Sequence, residues 1–335
     1  MDPVERITRA VLYEGYILWP YRRSALKNRQ RWTFGGVFPR SYSQAGHADD
    51  PWRMRTECLL EASAGAMVNV ELRFLQVTAR QAMQATEGGA APVDRLVVGA
   101  DEYLTWEEAT ERSVRMPPIG VGGAEVSVCL PLSIPADRTT ETIAADDGSP
   151  AGALVREWRQ LEGEISVTVT PVSAGLFSVV VGISNTTPWS GGERGEAVKQ
   201  ALISAHMVLR TSQGAFVSLT DPPAELREAA ARCRNAGTWP VLVGETGDRT
   251  TVLSSPIILP DYPEIAPESP GDLFDGGEID QLLILNVLSL TDDEKREMRA
   301  SDPRAREILD RCASLTPDQL MRLCGSIREL GSVAG

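Results

Sequence analysis

Apolar and polar residues alternate between residues 67 and 77, which is the pattern of a strand buried on one face. One face would carry apolar side chains and the other polar ones: Val68, Val70, Leu72 and Phe74 against Asn69, Glu71 and Arg73. Three further segments are rich in β-branched residues and are also predicted to be strands: 124–134, 164–172 and 176–187. The last two are separated by Ser173-Ala174-Gly175, which predicts a β-hairpin with glycine at the position of positive φ.

Helices and short strands are predicted to follow. Residues 192–210 combine apolar positions with little strand character, so this segment is predicted to be a helix. Asp221-Pro222-Pro223 would cap a second helix that ends at Gly237. Three short strands are predicted around these helices and around a turn at Gly247: residues 214–219, 239–245 and 250–259.

A change in composition divides the chain near residue 258. Residues 259–277 are rich in proline and carboxylates, which predicts a linker. Beyond it, Thr291 with Glu294 matches a capping box, and Asp302 directly precedes a proline that can begin a helix. We therefore expect an α+β protein with a large, mostly antiparallel β domain with flanking helices (1–258), a linker (259–277) and a small C-terminal helical module (278–331).

The overall composition is that of an ordinary globular protein, with 42% hydrophobic and 24% charged residues in 335. Asp2 and Glu5 interrupt the amino-terminal segment, so no secretory signal is expected. No apolar run approaches the roughly 20 residues that cross a bilayer. These features predict a cytoplasmic protein without a membrane span.

Few residues with catalytic or metal-binding chemistry stand out. The five cysteines form no C-x-x-C pair, and there are two histidines, His47 and His206, so neither a metal site nor a cofactor is predicted. His206 is expected to be a packed or surface residue of the predicted helix, and His47 a solvated loop residue. Two clusters of acidic residues show no specific catalytic or metal-binding pattern. One is expected at a solvated helix entrance and comprises Asp272, Asp275, Glu278 and Asp280. The other is the pair Glu107 and Glu108, which is expected on an exposed helix face.

The charge distribution is uneven. The chain has a net charge of -13, yet residues 15–48 contain six Lys and Arg residues and no carboxylate. Aromatic residues are concentrated in the same part of the chain. Because Tyr, Trp and Arg dominate the energetics of protein interfaces, a docking surface is one interpretation of this basic strip. It would use eight residues: Trp19, Tyr21, Arg22, Arg23, Lys27, Arg29, Arg31 and Trp32.

Two other interpretations of the basic strip remain open. The aromatic side chains can belong to the core while the guanidinium groups pair with carboxylates of the same chain. Aromatic and basic residues are also suited to binding nucleic acid. However, the sequence pI is about 4.8, so the negative charge of the rest of the chain would repel the phosphates of a nucleic acid near this strip. Nucleic acid is therefore not the expected partner.

Longer sequence strings carry a resemblance to a known group of proteins. The segments "YEGYILWPYRRSALKNRQRWTFGGVFP", "DLFDGGEIDQLLILNVLSLTDDEKREM" and "LTPDQLMRL" resemble accessory proteins encoded beside nickel-iron hydrogenases of the high-affinity actinobacterial type. The resemblance extends over nearly the whole chain and implies a role in maturation or assembly of the hydrogenase. It brings no catalytic residues with it. The lack of a cysteine pair puts direct metal delivery in doubt.

The sequence thus leads to two functional hypotheses. The first is a non-catalytic accessory or scaffold protein that assists the maturation or assembly of a redox metalloenzyme, with a hydrogenase subunit or a maturation factor as its protein partner. The second is an enzyme of unknown reaction that uses carboxylates in a cleft of the β domain.

Overall fold

The computed structural model describes residues 3–13, 35–264 and 287–316. Its helices are α1 (Pro3–Tyr13), α2 (Arg40–Gln44), α3 (Arg194–Val198), α4 (Arg227–Arg232), α5 (Asp292–Ser301) and α6 (Pro303–Ala313). Its first eight strands are β1 (Arg53–Ala62), β2 (Met67–Thr86), β3 (Gly89–Val93), β4 (Arg95–Val98), β5 (Asp101–Leu104), β6 (Trp106–Arg115), β7 (Ile119–Gly120) and β8 (Val126–Ile134). The others are β9 (Asp137–Ala144), β10 (Pro150–Trp158), β11 (Leu161–Ser173), β12 (Leu176–Asn185), β13 (Ile203–Thr211), β14 (Gly214–Val217), β15 (Trp239–Leu242) and β16 (Thr251–Ser255).

Two large sheets pack face to face. The first has the strand order β14-β1-β12-β11-β8. The second has nine strands along the path β15-β16-β13-β2-β10-β9, with β3, β6 and β7 also pairing with β2. Every strand pair joined in these sheets is antiparallel. One hydrophobic cluster contains side chains from both sheets, so the α+β fold with a mostly antiparallel β domain is confirmed.

Strand β2 is the longest strand in the described part of the chain, with 20 residues. The predicted apolar face is confirmed, because Val68, Val70, Leu72 and Phe74 are at most 2% exposed and belong to the cluster between the sheets. The opposite face differs from the prediction at Glu71, whose exposure is 6%. A carboxylate is therefore buried where the alternation predicts a solvated side chain.

The predicted β-hairpin is confirmed. Strands β11 and β12 pair antiparallel, and Gly175 in their connection has a φ of +76°. A side chain at this φ would be strained, which is why the short connection requires glycine. The strand predictions for residues 124–134, 214–219, 239–245 and 250–259 are also confirmed within a few residues at each end.

The predicted helix over residues 192–210 is wrong for most of its length. The helical part is α3, whereas β13 forms an interior strand that pairs with both β2 and β16. Both faces of β13 are covered, since eight of its nine residues are buried. Apolar Ile203, Ala205, Met207 and Leu209 alternate with polar Ser204, His206 and Arg210, and the apolar Val208 interrupts this alternation, which the helix prediction overlooked. The prediction after Asp221 is also too long, because helical structure there comprises a 3-10 turn at Ala224–Leu226 and α4.

Helices cover the outer face of the nine-stranded sheet, which is the face opposite the first sheet. Val4 and Val11 of α1 pack with Val208 and Leu253. A second cluster joins the carboxyl end of α1, Leu75 and Val77 of β2, and the C-terminal helices through Met298, Ile308 and Leu309. The helices therefore share a hydrophobic core with the sheet. The division at residue 258 stays a prediction, and most of the proposed linker lies outside the described residues.

The capping box of α5 is confirmed. The backbone N–H of Glu294 donates to the Thr291 hydroxyl, and the Thr291 N–H donates to the Glu294 carboxylate over 2.9 Å. Both bonds satisfy N–H groups that the first turn of the helix would otherwise leave without a partner. Helix α6 begins at Pro303, directly after Asp302, as predicted.

Replacing Thr291 by alanine is expected to lower the free energy of unfolding by about 1 kcal/mol, because the helix loses its N-terminal hydrogen bond. Urea unfolding of the variant measures the change. Thr291→Ser is the matched control, since it keeps the hydroxyl and should retain nearly all of the stability. Equal losses in the two variants would contradict a capping role.

Candidate functional site

The eight residues of the proposed docking surface lie outside the described residues: Trp19, Tyr21, Arg22, Arg23, Lys27, Arg29, Arg31 and Trp32. The carboxyl end of the basic strip is described. There Phe38 and Tyr42 are buried, at 2% and 1% exposure, whereas Arg40 is exposed with its guanidinium 4.8 Å from the centre of the Trp52 ring. This end of the strip thus combines buried aromatic rings with an exposed cation.

His206 is fully buried in β13, beneath α1. Its packing agrees with one of the predicted alternatives, although it lies in a strand and not in a helix. Nδ1 lies 2.8 Å from the Ser204 carbonyl oxygen, and Nε2 is buried without a hydrogen-bond partner among the described residues. Burial lowers the pKa of His206 to about 4 because the charged imidazolium would lose its hydration. The side chain is therefore neutral at pH 7.

A network of charged side chains surrounds His206 between α1 and the sheet. Glu71 accepts a 2.5 Å hydrogen bond from the Ser113 hydroxyl and lies 3.3 to 3.8 Å from Arg73, Arg115 and Arg210. Burial raises the pKa of Glu71, but hydrogen bonds from Ser113 and Arg73 and the nearby cations outweigh it, so the net shift is downward. One buried carboxylate thus holds three guanidinium groups together.

The same network fastens α1 to β2. Arg73 donates two hydrogen bonds to the Glu5 carboxylate, over 2.6 and 2.8 Å. This bidentate geometry is the strongest form of an arginine–carboxylate pair. Sequence reasoning missed the network, and the signal that could have indicated it is the run of charged and polar residues on a strand that is otherwise apolar.

A second carboxylate, Glu108, is buried farther along the sheet. It was predicted to lie on an exposed helix face, which is wrong, because it belongs to β6 and is 8% exposed. Arg156 donates to it over 2.7 Å, and Arg80 lies 3.7 Å away. Arg80 also donates to the carbonyl oxygens of Ala300 and Ser301 at the end of α5. A cation at a helix carboxyl terminus is electrostatically favourable, so this contact ties α5 to the sheet.

An open groove of about 610 Å³ lies on the nine-stranded sheet between the β9–β10 end and the turn that follows α3. Val77 and Ala79 of β2 contribute to its lining, together with Asp137, Arg138, Glu157, Trp158, Arg159, Gln160, Lys199 and Gln200. Two carboxylates, Asp137 and Glu157, are among the residues that line it. It corresponds to the cleft that the enzyme hypothesis requires.

The three cations that line the groove form ion pairs, one with Glu157 in the groove and the others with Glu196 and Glu107 beside it. Arg138 lies 3.2 Å from Glu157, and Lys199 lies 2.7 Å from Glu196 and 3.7 Å from Glu107. Arg159 also pairs with Glu196, which thereby bridges α3 and the β10–β11 connection. The hydrogen bond from Lys199 is the main reason that the pKa of Glu196 is lowered.

Of the described cysteines, Cys58, Cys233 and Cys312 are buried or half-buried and Cys129 is exposed. Burial raises the pKa of the Cys58 thiol far above its usual range and raises the pKa values of Cys233 and Cys312 to about 11. A protonated thiol is a poor nucleophile. His47 lies in an exposed turn with its ring stacked on Tyr42, at 4.1 Å between centroids.

Within the described residues, no group of three or more His, Cys, Asp or Glu side chains is arranged to hold a metal ion. The acidic residues between Asp272 and Asp280 lie outside this part of the chain. Nor does any described helix combine the length and apolar character required to cross a membrane.

Comparison with known proteins yields no relatives. No protein-family model matches the chain, no curated protein matches its sequence, and no solved structure matches its fold.

Proposed function

We propose that this chain is a non-catalytic accessory or scaffold protein that assists the maturation or assembly of a redox metalloenzyme, with a nickel-iron hydrogenase as the expected enzyme. The observation that supports a binding role most directly is the burial and pairing of the described side chains that could act as bases or nucleophiles. His206 is buried with a pKa of about 4, three thiols have raised pKa values, and the buried carboxylates Glu71 and Glu108 hold arginines. These side chains stabilise the fold.

The partner proposal has two supports in the sequence. One is the resemblance to hydrogenase-associated accessory proteins. The other is the basic strip, whose six cations within an acidic chain would attract a carboxylate-bearing protein surface and accelerate encounter. A hydrogenase subunit or a maturation factor in the cytoplasm is the expected partner, and the net charge of -13 argues against nucleic acid.

Replacing Arg29 and Arg31 by alanine is expected to weaken partner capture, most strongly at low salt, where charges are least screened. Stability should change by no more than about 0.5 kcal/mol per site, the usual range for surface substitutions. Pull-down of the hydrogenase subunits from the native host, with a parallel urea melt, measures both effects.

The matched control replaces Arg232 and Arg296, which are exposed and pair with carboxylates in their own helices. That variant should capture the partner normally. Normal capture by the Arg29→Ala, Arg31→Ala variant together with a large loss of stability would instead assign the strip to the fold. If no hydrogenase protein is recovered with the wild-type chain, the partner proposal fails.

A further inference from the structure

The groove on the nine-stranded sheet is built around one row of directly paired residues. Glu107 of β6 and Glu157 of β10 both lie opposite Ala79 of β2, and Arg138 of β9 lies opposite Glu157. Side chains that are paired in this way project from the same face of a sheet. With about 4.8 Å between neighbouring strands, the row extends over roughly 14 Å. Ala79 leaves a gap in it because its side chain is a single methyl group.

Charged side chains surround this gap without producing a strong net field. Arg138, Arg159 and Lys199 are offset by an equal number of carboxylates, Asp137, Glu157 and Glu196, and the last two form ion pairs with these cations. An additional anion would meet the groove's carboxylates, and an additional cation would meet its arginines and lysine. Neither sign of charge would therefore gain much Coulomb energy in the groove.

The ion pairs nevertheless leave hydrogen-bonding capacity in the groove. A guanidinium carries five N–H donors, a carboxylate offers about four acceptor positions, and each pair described above joins one donor nitrogen to one oxygen. The amide nitrogens of Gln160 and Gln200 each donate one hydrogen bond, to Glu162 and to the Pro188 carbonyl oxygen, and each carries a second N–H beside its carbonyl oxygen. These donors and acceptors lie around Ala79, a half-buried apolar residue of β2 at the groove.

We propose that this groove is a binding site for a neutral, polyhydroxylated ligand, namely a di- or trisaccharide. A sugar hydroxyl both donates and accepts, so neighbouring hydroxyls can bridge the carboxylate and the cation of an ion pair such as Glu157–Arg138. The C–H groups of a sugar ring can pack on Ala79 and on the half-buried Trp158, which also lines the groove. A volume of about 610 Å³ is within the range of small-molecule sites and accommodates roughly two sugar rings. This inference does not depend on the proposed accessory function.

The test uses the purified full-length chain and isothermal titration calorimetry. The neutral probes are cellobiose, maltose, lactose, mannobiose and their trisaccharide counterparts, and the charged probes are digalacturonic acid and diglucosamine. At least one neutral probe should bind with a Kd of about 1 mM or tighter, the range of a weak small-ligand site. Its affinity should be nearly independent of salt, because no net charge is neutralised.

Ala79→Leu fills the gap in the row and is expected to weaken binding at least tenfold. Ala231→Leu on the exposed face of α4 is the matched control and should bind as the wild type does. If Ala79→Leu does not fold, Arg138→Gln provides the second variant, because Arg138 is 62% exposed and its loss removes donors without disturbing the core. Arg138→Gln should weaken binding severalfold.

Three results would overturn the proposal. They are the failure of every neutral probe to bind at about 10 mM, binding that is unchanged in both groove variants, and tighter, salt-sensitive binding of a charged probe. None of these results bears on partner capture through the basic strip, so the two proposals fail independently.

Discussion

Replacing Glu71 by alanine is expected to lower the free energy of unfolding by about 3 to 4 kcal/mol. Glu71 is buried and lies among Arg73, Arg115 and Arg210, so its removal leaves three cations close together without the carboxylate that joins them. Breaking a buried ion pair by removing one partner costs about 3 to 5 kcal/mol, much more than the pair itself contributes. Arg73 would keep its bond to Glu5 but would remain largely desolvated, with 14% of its side chain exposed.

Urea unfolding at pH 7 measures this effect. Glu61→Ala is the matched control, because Glu61 pairs with Arg249 over a similar distance, 3.0 Å, but both side chains are at least 40% exposed. The control should lose no more than about 1 kcal/mol, as exposed pairs do. If both variants lose a similar amount of stability, burial does not determine how much the Glu71 ion pairs contribute to the free energy of unfolding.

Protonation of His206 is expected to lower the free energy of unfolding by about 3 kcal/mol as the pH falls from 6.5 to 4. The pKa of His206 is about 4 in the folded chain and 6.5 in the absence of burial. Below pH 6.5 the unfolded chain binds a proton that the folded chain does not, so acid favours unfolding. The contribution is fully present above pH 6.5, decreases as the pH falls, and is lost once the pH reaches the folded-state pKa. One pKa unit corresponds to about 1.4 kcal/mol, which gives the magnitude.

Urea melts between pH 7 and 4.5 isolate this effect. Carboxylates with lowered pKa values, including Glu5 and Glu71, lose their stabilising effect mainly below their ordinary pKa of 4.5. His206→Asn keeps a donor for the Ser204 carbonyl and should make the profile nearly flat above pH 4.5. His47→Asn, in an exposed turn, should retain the wild-type slope. If the free energy of unfolding still falls steeply with pH in His206→Asn, the pH dependence arises from other groups.

Sequence reasoning succeeded where the determining interactions are local. The alternation in β2 between Val68 and Phe74 reflects one buried face, the β11–β12 connection requires glycine at residue 175, and Thr291 caps a helix three residues before its partner Glu294. Each of these features depends on residues within a few positions of one another. Period, turn geometry and capping therefore identify them.

Sequence reasoning failed at β13 because the face that α1 covers also carries an apolar residue, Val208, which makes the alternation of the strand incomplete. Its neighbours β2 and β16 are remote in sequence, so the pairing that makes this segment a strand cannot be read from the segment itself. Glu108 was misplaced for a related reason. Its partners Arg80 and Arg156 come from other strands, so neither its burial nor its pairing follows from the residues next to it.

The sequence by itself determined the α+β class, the antiparallel strands with apolar alternation, the hairpin, the cap of α5 and the uneven distribution of charge. Only the tertiary structure decided which carboxylates are buried, how α1 is fastened through Glu5 and Arg73, and how Glu107, Ala79, Glu157 and Arg138 come to form one row. The physical reason is the range of the interactions. Backbone geometry and periodicity act over a few residues, whereas burial and ion pairing depend on strands brought together from distant parts of the chain.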